Sequence, residues 1–416
     1  MLTVRQSFPP TPPVDVSAAV IAGFPRLGRA VKPGQHIAIA VGSRGISGIA
    51  EIVRTLIGLL REAGARPFIV PAMGSHAGAT AEGQEEILGT YGISEKALGV
   101  PVRAGMEVRK LGRTRGGVDV FLSREALRAD GIIIVNRIKP HTDFRGRLGS
   151  GVMKMMVVGL GKRIGATQFH IGASRLGYEP VLRAMARVIL ERAPILGGVA
   201  IVENHFHQTA RLEILPASGL ERQEEKLFQE ASRLMPRLPF DEIDLLIVDQ
   251  LGKNISGSGL DPNITGRWVH GYSSMLNEKG RQPNVRRLFV RGLTPETKGN
   301  GIGIGLADFT TSRLVRELEV EIMAINALTS MTPNSVKIPI HFETDREVLE
   351  RALGSMALAD PRTARIVRIR DTLSLDTLEV SEPLNGDLRK NKNLSVLRKA
   401  APMKFDPRGN LGPLGK

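Results

Sequence analysis

The sequence contains no cysteine. Disulfides, thiolate nucleophiles, zinc ribbons and cysteine-held iron–sulfur clusters are therefore excluded. Any metal must be held by histidine, by carboxylates, or by a group that brings its own ligands. The absence fits a reducing compartment. Aromatic residues are scarce, at 4%, so the core must rest on Ala, Val, Ile, Leu and Met. No apolar run approaches the roughly 18 residues of a membrane span. Residues 1–13 hold one arginine and several prolines but no apolar core of a signal peptide. A cytoplasmic protein without a membrane partner is expected.

What is present is ordinary for a globular protein: 42% hydrophobic and 24% charged residues over 416 positions. That length favours about two domains. The formal net charge is +15, which raises nucleic acid, a membrane surface or an anionic ligand as partners. The basic stretch 389–404 has no interleaved aromatics, the feature that single-strand binding needs. No nucleic-acid partner is expected.

Short apolar runs alternate with amphipathic stretches. Residues 36–41 (HIAIAV), 66–71, 131–135 (GIIIV) and 199–203 read as buried strands. Residues 49–63 place Ile49, Ile52, Val53, Leu56, Leu59 and Leu60 at helical spacing. Residues 81–91, with Thr80 as N-cap, and 180–193 read as further helices. After a charged helix at 218–234 and a proline-containing stretch at 236–239, the pattern resumes. Strands at 243–248 and 366–369 and a helix near 310–319 are predicted there. The expectation is an α/β protein of two domains with mainly parallel sheets, residues 1–238 and 239–416. The last 20 residues read as a loosely held tail.

Two histidines follow predicted strands. His76 lies in Gly74-Ser75-His76-Ala77-Gly78, and His141 in Lys139-Pro140-His141-Thr142. In open α/β sheets, ligands bind outside the carboxyl ends of the strands, so both imidazoles fall where a site is expected. The competing reading is a pair of loop-capping surface histidines. Lys154 follows Gly149-Ser150-Gly151 within Val152-Met153-Lys154-Met155. An apolar setting depresses a lysine pKa and makes the amine nucleophilic; the alternative is a lysine snorkelling from a core helix. His170 comes next, in Gln168-Phe169-His170.

His76, His141, Lys154 and His170 occur in that order, 65, 13 and 16 residues apart. This constellation resembles the lactate racemases that depend on a nickel-pincer nucleotide. In that family a histidine sits in a G-x-H loop and a second in a P-H turn. A lysine then follows a glycine-rich segment, with a third histidine one short helix later. The stretch 142–149 is longer here than in the family pattern. The resemblance covers at least residues 36–270, and it implies an active site in the cleft between the two domains.

By this resemblance the cofactor is the nickel complex of pyridinium-3-thioamide-5-thiocarboxylic acid mononucleotide. It would be joined covalently through Lys154, with His170 as the imidazole ligand that completes a square plane, a geometry Ni(II) accepts. The pincer sulfurs belong to the cofactor, so a chain without cysteine can host the metal. His76 and His141 would be the acid–base pair of a 2-hydroxyacid racemase or epimerase working by hydride transfer through a 2-ketoacid. Arg44, where relatives carry an Asp-x-Thr-Arg type segment, would contact a substrate or cofactor anion. Asp261 lies in Leu260-Asp261-Pro262-Asn263, which resembles the family's L-D-x-N segment. Relatives acting on lactate continue with Tyr, Gln and a later Lys. This chain has Thr265 and Gly266, with Val269 at the lysine place and Arg267 as the nearest cation. A larger 2-hydroxyacid than lactate is implied, together with proteins that make the cofactor.

Three features carry less. Lys253, after the strand at 243–248, is a candidate contact for a cofactor phosphate or a carboxylate. His205 and His207 would share one side of an extended segment. Gly299–Gly305 reads as a flexible glycine loop or lid, since it lacks the ending of a phosphate loop. Two other readings stay open. One is an α/β enzyme with a different cofactor. The other is an anion- or nucleotide-binding protein, or a family member that holds the cofactor without racemase activity.

Overall fold

The computed structural model describes residues 1–28, 30–43, 45–142, 144, 146–267 and 283–415. Arg44 and Val269 lie outside the described residues. The chain forms two compact units, Thr11–Met235 and Met1–Pro10 with Pro236–Lys416. The opening strand β1 (Leu2–Gln6) thus belongs with the second half of the chain.

The unit Thr11–Met235 is built on β2 (His36–Val41), β3 (Arg66–Pro71), β6 (Gly131–Arg137), β7 (Ile195–Glu203) and β8 (Thr209–Pro216). A two-stranded antiparallel ribbon, β4 (Val108–Arg113) with β5 (Asp119–Ser123), lies apart from that sheet. The sheet order is β3-β2-β6-β7-β8, parallel except for the β7–β8 pair. Continuous Val, Ile and Ala in β2 and β6 suit strands covered on both faces, and Ile37–Val41 and Ile132–Val135 are fully buried. Helix α1 (Val16–Gly23) starts on Asp15, whose carboxylate accepts the Ala18 N–H. Helix α2 (Ile49–Glu62) buries Ile49, Ile52, Val53, Leu56, Ile57 and Leu60 in the core that β2 and β6 share. Thr80 caps α3 (Ala81–Thr90), its hydroxyl accepting the Gly83 N–H at 3.1 Å. The remaining long helices are α4 (Lys162–Leu176), α5 (Tyr178–Arg192) and α6 (Leu220–Leu234).

In this order β2 is flanked by β3 on one side and β6 on the other, so the chain reverses its direction of winding at β2. Such a switch point opens a crevice at the carboxyl ends of the strands. Ser43 follows β2, His76 follows β3 and His141 follows β6.

The other unit carries an eight-stranded sheet of order β12-β11-β10-β9-β13-β14-β1-β15. Its strands are β9 (Glu242–Val248), β10 (Asn284–Val290), β11 (Phe309–Thr311), β12 (Ile340–Phe342), β13 (Ile366–Ile369), β14 (Thr377–Val380) and β15 (Leu394–Arg398). The run from β12 to β13 is parallel, and β14, β1 and β15 add antiparallel neighbours. The fold is α/β with mixed, mainly parallel sheets. Among the described residues no helix is long and apolar enough to cross a membrane.

Three sequence expectations differ from what forms. The end of the chain is held rather than loose: Leu411 is buried, its N–H donates to Asp345 and its carbonyl accepts from Arg291 at 2.6 Å. The segment Gly299–Gly305 is packed, with Asn300 and Gly301 buried and the Gly303 N–H on the Ser335 carbonyl at 2.8 Å. The expected helix at 310–319 is a short one, Ser312–Arg316, because Phe309–Thr311 is taken up as β11 beside β10.

Candidate active site

Residues that follow β6 set one wall. Asn136, buried near the end of β6, donates from Nδ2 to the Gly151 carbonyl at 3.1 Å. Lys139 and Ser150 exchange backbone hydrogen bonds at 2.9 Å in both directions. That bridge pinches residues 139–150 into a closed loop with His141 inside it. Beyond it the chain makes one helical turn, Val152–Lys154, and passes into a π-helical segment, Met155–Gly159. Wide π turns inside helices are uncommon and recur at functional sites.

The loop and the turn bring His141 and Lys154 together: the amine Nζ touches the imidazole Nε2. His141 is buried, and its ring stacks on Phe144 at 4.5 Å between centroids. Phe144 stacks in turn on Tyr178 at 4.8 Å, and His170 meets the same tyrosine edge-on at 6.3 Å. Phe169 closes the cluster 5.8 Å from Tyr178. Tyr178 thus joins the histidine of the β6 loop to the histidine of α4. Sequence reading missed both Phe144 and Tyr178. The available signal was Gly177-Tyr178 at the start of α5, where a tyrosine opens a helix directly after the one carrying His170.

His76 stands in the loop after β3. Its Nδ1 lies 2.7 Å from the Ser43 hydroxyl, which follows β2. A hydroxyl on one ring nitrogen helps to fix the imidazole plane.

Beneath the Lys154 turn is a carboxyl group the sequence did not announce. Glu224 of α6 is fully buried, and its Oε2 accepts the Met153 N–H at 2.9 Å. Burial pushes its pKa up to about 7, although the backbone N–H groups of Met153 and Val152 pull the other way. A Cβ at position 151 would lie 2.0 Å from Glu224 Oε1, so glycine is required for this approach. Lys162, at the head of α4, is also fully buried, and desolvation lowers its amine to about 8.

Other sequence candidates have partners of their own. His205 and His207 are not on one extended face: the β7–β8 hairpin turns at 204–207, with His207 at φ +59°. Asn204 Oδ1 accepts the Phe206 and Gln208 N–H groups to hold that turn, and burial lowers the His205 pKa. In the unit that carries β9, Lys253 donates from Nζ to the Gly257 carbonyl at 2.9 Å. Asp261 is buried and caps the turn Pro262–Thr265, its Oδ1 accepting the Asn263 N–H at 2.9 Å. Arg267 pairs with Asp308 at 2.6 Å.

Among the described residues, no cluster of three or more His, Asp or Glu side chains forms a metal cage. The donors gathered near Tyr178 are one amine and two imidazoles. They suit a metal that arrives with most of its ligands already attached.

Comparison with known proteins finds likenesses of domain and fold. Residues 15–175 match the model of the lactate racemase N-terminal domain, a span that includes His76, His141, Lys154 and His170. Among solved structures, the lactate racemase apoprotein from Thermoanaerobacterium thermosaccharolyticum superposes with a TM-score of 0.50. The match covers 90% of this chain and 99% of that one, at 14% identity, and is a likeness of fold. No curated protein sequence matches. Residues 15–175 are thus similar to the lactate racemase N-terminal domain, and the chain shares its fold with the lactate racemase apoprotein.

Proposed function

We propose that this protein is a racemase or epimerase of a 2-hydroxyacid that uses a nickel-pincer nucleotide. The observation that carries the reading is the contact of Lys154 with His141, beside a His170 held by Tyr178. Lys154, His141 and His170 all lie within the stretch that matches the lactate racemase N-terminal domain. The donor set fits the cofactor: Lys154 would hold it covalently and His170 would supply the imidazole ligand. When bound, the cofactor supplies a centre that accepts a hydride from the substrate carbon and returns it.

The chain's own residues handle the proton. His141 and His76 are the acid–base pair in this reading. One takes the hydroxyl proton as the C–H bond breaks, leaving a 2-ketoacid; the other returns a proton to the carbonyl oxygen when the C–H bond re-forms on the opposite face. Acid–base work of this kind contributes about 100- to 10,000-fold. Ser43 orients His76, and Phe144 excludes water from His141. Arg44 and Lys253 are assigned to the anionic groups of cofactor and substrate, and Asp261 to the binding of the cofactor. Thr265 and Gly266 stand where relatives acting on lactate carry Tyr and Gln, both are packed in, and the nearby Arg267 is committed to Asp308. The groups that hold lactate are therefore not reproduced, and the substrate is a 2-hydroxyacid other than lactate. The same two observations favour, as a second reading, a protein that holds the cofactor without racemising anything.

Intact mass and nickel content, measured on protein made in cells that produce the cofactor, test the reading. An added mass lost in Lys154→Ala, with nickel equimolar to the chain and lost in His170→Ala, is expected. Unmodified, nickel-free protein from that host would remove the covalent-cofactor mechanism. Loaded protein that exchanges no enantiopure hydroxyacid would establish the second reading instead.

A further inference from the structure

We infer that Lys162, acting through Gln84, is the positioning residue that locks the His76 loop to the helix bearing His170. The inference rests on the proposed role of His76 as an acid–base group.

Lys162 opens α4, whose later turns present His170. Its ammonium donates to the Pro71 carbonyl at the end of β3 (2.8 Å) and to Gln84 Oε1 (3.0 Å). Gln84, also fully buried, passes the connection on: its Nε2 donates to the Gly74 carbonyl at 2.9 Å and reaches the His76 carbonyl at 3.4 Å. A backbone bond from the Gly74 N–H to the Gly159 carbonyl (3.0 Å) closes the ring between the two segments. Gly159 is pressed against Ala72, whose carbonyl oxygen would lie 2.6 Å from any Cβ there. Side-chain and backbone bonds thus fix both ends of the His76 loop onto the segment that links Lys154 to α4.

Stability alone does not account for this lysine. Its ammonium is removed from water and given uncharged acceptors, with only a through-space attraction to Glu125 in compensation. Its backbone lies at φ +52°, a region that side chains with a Cβ occupy at a cost. An apolar residue would avoid the first penalty and a glycine the second. What neither supplies is a fixed distance between the His76 loop and α4. Acid–base catalysis depends on that distance, since a misplacement of about 1 Å can cost on the order of 100-fold in rate.

The test uses Lys162→Met and Gln84→Leu in the full chain, with two readouts. The first is the ring resonance of His76 in histidine-labelled protein, assigned by its loss in His76→Gln. The second is the split of kcat and KM for hydroxyacid exchange in cofactor-loaded protein. With circular dichroism unchanged, both variants should shift and broaden the His76 signal. They should lower kcat about tenfold or more while KM stays within about twofold. Folded variants with an unmoved His76 resonance and an unchanged kcat would overturn the inference. Should Lys162→Met fail to fold, Gln84→Leu decides, because it cuts only the arm to the loop. Should the wild-type protein exchange no hydroxyacid, the proposed function fails, and the His76 resonance still decides whether Lys162 positions that loop.

Discussion

The two units differ in how they hold their most deeply buried charges. In Thr11–Met235 the fully buried Glu224 and Lys162 have neutral partners, Glu224 backbone N–H groups and Lys162 a carbonyl and an amide, although the same unit also pairs Arg137 with Glu203. In the other unit a network of buried charges is matched. Arg291 bridges Asp249 and Asp345, Arg368 bridges Asp249 and Glu379, and Arg313 joins Asp345. That network also grips the end of the chain through the Leu411 carbonyl. Unmatched burial moves pKa values and costs stability, whereas matched burial fixes geometry and leaves charges in place. The first arrangement suits a site that handles protons; the second suits a frame.

The sharpest break of this contrast is Asp345→Ala. It removes the carboxylate of Arg313, one of the two carboxylates of Arg291 and the acceptor of the Leu411 N–H, and removal of one member of a buried ion network costs about 3–5 kcal/mol. Denaturant unfolding should show a loss of that size. A loss under about 1 kcal/mol would mean that the network is no better matched than the groups of the other unit.

Glu224→Gln probes the opposite case. The folded carboxyl keeps its proton up to about 7, against an ordinary value of 4.5. Its contribution is therefore full below pH 4.5 and is lost as pH rises through 7, where the unfolded chain is ionised and the folded one resists ionisation. The difference is on the order of 3 kcal/mol. Urea midpoints of wild type should fall, relative to Glu224→Gln, between pH 4.5 and 7. Parallel curves for the two proteins would show that Glu224 ionises normally.

Thr80→Ala has the smallest expected effect, about 1 kcal/mol from the lost cap of α3. It also loosens the end of the His76 loop. Hydrogen exchange should speed up at the Gly83 amide, which the Thr80 hydroxyl accepts, while Leu411 is unaffected.

Much of the frame around the site is legible in the sequence because it is local. Uninterrupted Val, Ile and Ala name β2 and β6, the apolar periodicity of 49–62 names α2, and Thr80 names a cap. Each rests on neighbours a few positions away. His76 and His141 can be placed after strands for the same reason. Phe144, Tyr178, Lys162 and Glu224 could not be found this way. Tyr178 matters because α5 lays it between two histidines, and Glu224 because α6 drives it under Gly151, a contact between residues far apart in sequence. His205 and His207 show the converse error: a period of two assumes an extended backbone, and the left-handed residue His207 ends that extension. The end of the chain misled as well, since its prolines and glycines look loose while one leucine and a few carbonyls anchor it.

The position of β1 has a consequence for how the molecule is made. This strand lies between β14 and β15, and among the described residues β15 has no other strand beside it in the sheet. Residues 2–6 are therefore translated several hundred positions before the strands they pair with. The sheet of the second unit cannot close until its latest strands meet its earliest one. A fragment beginning at Pro236 would carry that sheet with a missing seam, and β15 would have nothing to bind. Strands far apart in the sequence thus act as a clasp, and this unit depends on residues translated before Thr11–Met235.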